Sequence, residues 1–434
     1  SAAAAGVAMS RPNSRSCSGE GPRGHGREAR HVVLRARLDG VPRALELYVL
    51  KKDGCVFDLG YSAPPALFAA LSRPVVNLDG DPSVVDPNSE DILLTQVVPG
   101  RVTTEFGSAV AFGDVNDDTY DDAVVGQRTE NKVYIYLGSA TVLSSTFVSD
   151  PNAADIVISA PTGAPDRIQQ FGFSVAVSDI DGDANDDLII GAPFSDPGGR
   201  TDQGLAWVIL SGDLLDTESA ISIADPNTWA PGMSVIKMTR GDSGKAGDLL
   251  GFAVGGSSLG TVADRYLVVT ARGADATMPT RADAGAVHVV LGSVLGAGGL
   301  PVPPAVSEFD LSTNDSVVTI FGDDASDAFG EAVTTCDVDG GGVADLLVGA
   351  IFGDGPDDIG INRGEALLFL GENIVPDSGD PGETIPALDA DLSIYGRADG
   401  DDFGYSVACG DLNYDPNVPN DLLDDLVIGA IFAD

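Results

Sequence analysis

A chain of 434 residues with 43% hydrophobic side chains is long enough for two or three ordinary domains or for one large repeat array. Its 54 glycines and only 24 basic residues favour strands joined by tight turns over long helices. A formal net charge of −42 excludes nucleic acid, whose phosphates would be repelled, and argues against docking on an anionic membrane surface.

Such a surplus of carboxylates has two readings, a solvated acidic surface or a set of cation sites, and only the spacing of the acids separates them. The four cysteines, Cys17, Cys55, Cys336 and Cys409, are too few for a disulfide scaffold. Cys336 and Cys409 hold near-equivalent places in two repeats and read as small buried residues. No apolar run approaches the length of a membrane span. The chain opens with Ser1 rather than Met, which reads as a fragment or a processed form, so the lack of a signal peptide carries no weight.

In chain order, residues 1–30 are rich in Ala, Gly, Ser and Arg without periodicity and read as disordered. Residues 31–74 form a small segment of different, basic character. His31 to Tyr61 alternates like paired strands about a DG turn, and SAPPALFAALSR reads as a short helix. From residue 85 to 434 the chain repeats itself. Five segments open alike at Phe106, Phe171, Leu250, Phe329 and Phe403. A second apolar run follows each: DDAVVGQ, DDLIIGAP, DRYLVVTA, ADLLVGAI and DDLVIGAI. A third comes after a variable loop in all but the last copy, and a fourth precedes the next opening. Four short strands per unit predict the blade of a β-propeller in an all-β fold. One blade cannot bury both faces, so several must stack. Residues 91–98 read as the outer strand of a further blade. It either completes the fifth copy or belongs to a longer array.

Between the first and second run of most units lies an acidic loop. The first offers Asp114, Asn116, Asp118, Tyr120 and Asp122, and the second Asp179, Asp181, Asp183, Asn185 and Asp187. The fourth offers Asp337, Asp339, Val343 and Asp345, having lost its position-5 oxygen at Gly341. The fifth offers Asp411, Asn413 and Asp415, with Asp425 after six extra residues. Side-chain oxygens thus recur at positions 1, 3, 5 and 9, with the backbone carbonyl expected from position 7. Alternate residues of a curled loop point to one centre, and calcium accepts six to eight oxygens in flexible geometry. Zinc would want His or Cys. The EF-hand, the rival calcium module, needs a flanking helix and a Glu at position 12, which here falls inside a strand. Asp, Asn and Gly also make turns, but such crowded like charges repel without a cation. In the third unit, GGSSLGTVAD places Gly256, Ser258 and Gly260 at positions 1, 3 and 5 and only Asp264 at position 9, so no metal is expected.

The series FG, then D-x-D-x-D-x-x-x-D, then LIGAP resembles the FG-GAP repeat of integrin α-subunits and related bacterial surface proteins. The second unit, Phe171 to Pro193, matches at every element. The resemblance spans about four-fifths of the chain. It implies a seven-bladed ring in which calcium loops brace the blades at one face and partners bind the other, whereas five repeats, the last incomplete, are countable here. The function that follows is a calcium-binding module outside the cell or on a (bacterial) cell surface, holding an unidentified protein or glycan ligand. The alternatives are a propeller-scaffold hydrolase or lyase, and a purely structural array. Against catalysis stand only three histidines, His25, His31 and His288, and no G-x-S-x-G, H-E-x-x-H or P-loop motif. His288, in the strand GAVHVVLG, reads as a polar position on a strand face.

Overall fold

The computed structural model describes strands Glu28–Leu38, Val41–Lys52, Cys55–Ala63 and Leu93–Leu94 and most of residues 105–433. The main stretches outside that description are 139–147, 211–219, 297–305, 356–361, 376–383 and 411–422. The chain divides into two compact units, Ser1–Asp91 and Ile92–Asp434. In the first unit three strands pair antiparallel in sequence order, with Leu38 opposite Val41 and Lys52 opposite Cys55. The low-complexity segment, except for its last three residues, and the helix expected after Ala63 lie outside the described residues.

The second unit is all-β and carries four four-stranded blades and the inner pair of a fifth. The first blade runs Phe106–Gly113, Asp122–Gln127, Lys132–Tyr136 and Ile156–Ser159. The second runs Val175–Ser178, Asp187–Ala192, Leu205–Leu210 and Ser234–Thr239. The third runs Leu250–Ser257, Tyr266–Ala271, Ala286–Leu291 and Val317–Phe321. The fourth runs Phe329–Cys336, Asp345–Ala350, Glu365–Phe369 and Leu392–Tyr395, and the fifth begins with Phe403–Gly410 and Asp425–Ala430.

Each second strand is apolar without alternation because both of its faces are covered. Leu188, Ile189 and Ile190 are all fully buried. Leu188 and Ile190 pack with Val124, Val133 and Ile135 of the first blade, while Ile189 packs with Leu267 and Val269 of the third. Successive side chains of a strand point to opposite faces, so one strand serves two inter-blade cores.

The repeat motif has a steric cause. A Cβ added at Gly126 would stand 2.2 Å from the carbonyl oxygen of Gly172; the same test gives 2.0 Å between Gly191 and Gly251 and 2.0 Å between Gly349 and Gly404. In these three pairs the glycine of the second strand therefore meets the glycine that opens the next repeat, and the backbones touch. The opening glycine is left-handed, with φ +84° at Gly172, a region that costs other residues strain. In the third repeat Thr270 takes the second-strand place, and its hydroxyl accepts the Ala253 N–H at 2.9 Å.

Two features lie outside the four-strand expectation. Each of the first three blades gains a fifth, parallel strand from the next repeat, drawn from the link between that repeat's third and fourth strands. These are Ala220–Ser222, Val306–Asp310 and Thr384–Pro386. They cover outer edges that would otherwise offer unpaired backbone groups. Leu93–Leu94 pairs in the same parallel way with Val148–Ser149. It thus stands where an outer strand stands, and its partner among the described residues is the first repeat rather than the fifth. The second feature is a correction. Cys336 and Cys409 are not merely small buried residues but a disulfide between the inner strands of repeats four and five, Cα–Cα 6.2 Å. Near-equivalent places in adjacent blades face each other across the blade gap, which sequence spacing alone does not reveal.

Candidate metal centre

The acidic loops join the inner strand to the second strand, and pairing fixes their ends. Gly113 faces Asp122, Ser178 faces Asp187, Cys336 faces Asp345 and Gly410 faces Asp425. Asp425 thus opens its strand as the position-9 aspartates do, despite the insertion before it. Asp411, Asn413 and Asp415 lie outside the described residues. In the third repeat Ser257 faces Tyr266. This corrects the expected register by two. Ser258 holds position 1, Asp264 position 7 and Tyr266 position 9, and the Tyr266 hydroxyl donates to the Ala344 carbonyl at 2.8 Å.

Loops one, two and four fold into one cradle. The position-1 carboxylate caps two amides. Asp114 accepts from Asp118 and Thr119 at 3.0 and 2.7 Å, Asp179 from Gly182 and Ala184 at 2.8 and 3.1 Å, and Asp337 from Gly340 and Gly342 at 2.7 and 3.0 Å. Position 3 accepts the position-5 amide: Asn116 from Asp118 at 3.3 Å, Asp181 from Asp183 at 3.1 Å and Asp339 from Gly341 at 2.7 Å. Asp118 and Asp183 accept the position-7 amides of Tyr120 and Asn185, each at 2.9 Å. Val343 holds position 7 in the fourth loop, where Gly341 has no carboxylate to offer.

The backbone is left-handed at positions 4 and 6 in all three loops. Asp117 and Thr119 have φ +58° and +74°, Gly182 and Ala184 +86° and +78°, Gly340 and Gly342 +78° and +76°. Glycine takes this shape freely, whereas Thr, a β-branched residue, is a genuine outlier there. One conformation held with and without glycine indicates a shape fixed by the loop's polar contacts rather than by local preference.

The position-9 aspartates anchor the cradle to the blade. Asp122, Asp187 and Asp345 are buried, and each accepts the position-2 amide, from Val115, Ile180 and Val338 at 3.0, 2.9 and 2.8 Å. Asp122 and Asp345 also accept from Gly138 and Gly371, at 2.7 and 2.8 Å, just beyond the third strand. Burial pushes the Asp122 carboxyl up to about 6, with the Asp118 and Asp114 charges adding to it against the amides of Gly138 and Val115. Burial likewise raises Asp181 and Asp345.

The donor set fits a calcium ion. Carboxylate oxygens of Asp179, Asp181 and Asp183 lie within 4.8 Å of one another, as do those of Asp337, Asp339 and Asp345. Calcium–oxygen bonds are about 2.3–2.6 Å, so oxygens this close are within reach of one cation. The first loop, with Asn116 at position 3, forms no such trio of acids among the described residues.

Outside the loops, His288 is buried and its Nδ1 lies 3.0 Å from the Thr319 hydroxyl. Burial, with the Arg240 charge, holds the imidazole well below its usual pKa. It borders a cavity of about 230 Å³ beside Arg240 and Asp248, which pair at 2.5 Å. No helix among the described residues is long and apolar enough to cross a membrane.

A family model for the FG-GAP repeat matches residues 171–209. Integrin alpha-5 of Xenopus laevis is 27% identical over 295 residues, covering 66% of this chain and 24% of that protein. Phosphatidylinositol-glycan-specific phospholipase D of Homo sapiens is 31% identical over 165 residues, covering 36% and 17% respectively. Integrin alpha-PS2 of Drosophila melanogaster is 48% identical over 48 residues, covering 10% and 3%. The chain therefore spans less than a quarter of each of these relatives.

Proposed function

We propose, for a chain that is an FG-GAP repeat protein with an integrin-α-like β-propeller, a calcium-binding module that works outside the cell or on its surface and presents its blades to a protein or glycan partner. The observation that carries the calcium reading is the common cradle of three loops, left-handed at the same two positions whether or not glycine stands there. Asp114, Asn116, Asp118 and Asp122 would hold the ion in the first loop, with the Tyr120 carbonyl. Asp179, Asp181, Asp183 and Asp187 would do so in the second with the Asn185 carbonyl, and Asp337, Asp339 and Asp345 in the fourth with the Val343 carbonyl. The fifth site would use Asp411, Asn413, Asp415 and Asp425. Calcium there would neutralise the clustered carboxylates and tie each loop to its strand ends.

The extracellular reading is supported by the inter-blade disulfide, a bond that persists in oxidising surroundings. Relatives of two unlike kinds, integrins and a phospholipase, share sequence with this chain. What such proteins have in common fits a scaffold better than either one's particular activity.

A melt with calcium and then with chelator tests the reading. Calcium should raise the Tm, and the joint variant Asp118→Ala, Asp183→Ala should lose most of the rise. An unchanged Tm in the parent chain would overturn the calcium assignment. The names of the phospholipase relatives favour a second reading, a hydrolase. Turnover of a phosphodiester substrate by this chain, abolished in His288→Gln, would replace the binding reading with that one.

A further inference from the structure

Neighbouring loops are linked in a regular way, and the link changes sign at one blade. In the second, third and fifth repeats the residue before the second strand reaches back to position 1 of the preceding loop, whereas in the fourth that place is Ala344. In the second repeat it is Asp186, whose Oδ2 accepts the Asp114 N–H at 3.0 Å. In the fifth it is Asp424, whose Oδ2 accepts the Asp337 N–H at 3.1 Å. In the third repeat, the one whose own loop lacks the acids, that place belongs to Arg265. Arg265 also reaches back one blade, but as a cation. Its Nη1 bonds to Asp179 Oδ2 and lies 3.4 Å from the Asp179 carbonyl oxygen. The side chains are 18% and 10% exposed, so water screens the pair weakly.

The position-1 oxygen of the second loop therefore already faces a positive charge, whereas the first loop has a carboxylate at the matching point. We propose that Arg265 sets the calcium affinity of the second loop. It is a resident cation that steadies Asp179, Asp181 and Asp183 while calcium is absent and opposes calcium when it arrives. The loop with the fullest ligand pattern is then not the tightest site, and the third repeat, whose own loop lacks that acidic pattern, instead tunes its neighbour's. This inference rests on the calcium reading above.

The two roles predict opposite movements in one variant. Arg265→Gln removes the charge, so the second site should bind calcium about tenfold more tightly, the size expected for a close but partly screened charge. The calcium-free protein should melt lower, because three carboxylates lose their neutraliser. Arg265→Lys keeps the charge and should stay within about twofold of the parent. Isothermal titration of the full chain with calcium chloride reads this, and the component that vanishes in Asp181→Asn identifies the second site. Tighter binding with a lower calcium-free Tm supports the proposal. Unchanged or weaker binding in Arg265→Gln overturns it and makes Arg265 a positioning residue. A parent chain that takes up no calcium overturns both this inference and the reading beneath it, which keeps the two failures apart.

Discussion

At the scale of single residues, burial sets the chemistry. His288 is closed off and neutral in the fold. Its folded pKa is depressed, so below the unfolded value near 6.5 only the unfolded chain takes the proton. Stability is then lost as pH falls, by up to about 1.4 kcal/mol per pH unit for one such group. The groups around it are Thr319, the Arg240–Asp248 pair and, across the same cavity, Lys245 and Asp275. Chelator-treated melts between pH 7 and 5 should show a shallower acid loss for His288→Gln than for the parent, and equal slopes would refute the burial account. The strand GAVHVVLG was legible as a strand with one polar position. That the position is enclosed was not, because the neighbouring blade that encloses it lies far away in sequence.

At the scale of elements, the glycine contacts and the disulfide hold blade to blade. Gly191→Ala would push a methyl group into the Gly251 carbonyl oxygen, which stands 2.0 Å from where the new Cβ would sit. Overpacking of this kind costs about 1–3 kcal/mol, and a chemical melt should show it. Cys409→Ser opens a link between residues 73 apart in sequence, which should lower stability by about 2–4 kcal/mol and speed amide exchange in Phe403–Gly410 first. The same Tm with and without reductant would contradict that link. The four-strand unit and the acidic spacing were readable because local periodicity and loop register carry them. The parallel fifth strands were not. Ala220–Ser222 and Thr384–Pro386 are three residues each and pair with another repeat, so nothing local marks them. The third loop's register failed for a related reason. Gly256 and Ser258 offered no acid to fix position 1, and only the pairing of Ser257 with Tyr266 settles it. Arg265 was not marked out in the sequence either, because its partner Asp179 lies in the preceding repeat.

At the scale of the whole molecule, the cradles join strand ends that each serve two cores, so an ion in a loop acts on packing well beyond the loop. A ligand present at a hundred times its Kd stabilises the fold by about 2.7 kcal/mol per site, and the effect should be largest at the loops themselves. The most direct test is hydrogen–deuterium exchange of the full chain in calcium and in chelator. Calcium should slow exchange at residues 114–122, 179–187 and 337–345, least at the second because Arg265 already steadies it, and should leave residues 258–266 unchanged. Equal exchange in both buffers at the three cradles, or protection of the third loop to the same degree, would contradict the account.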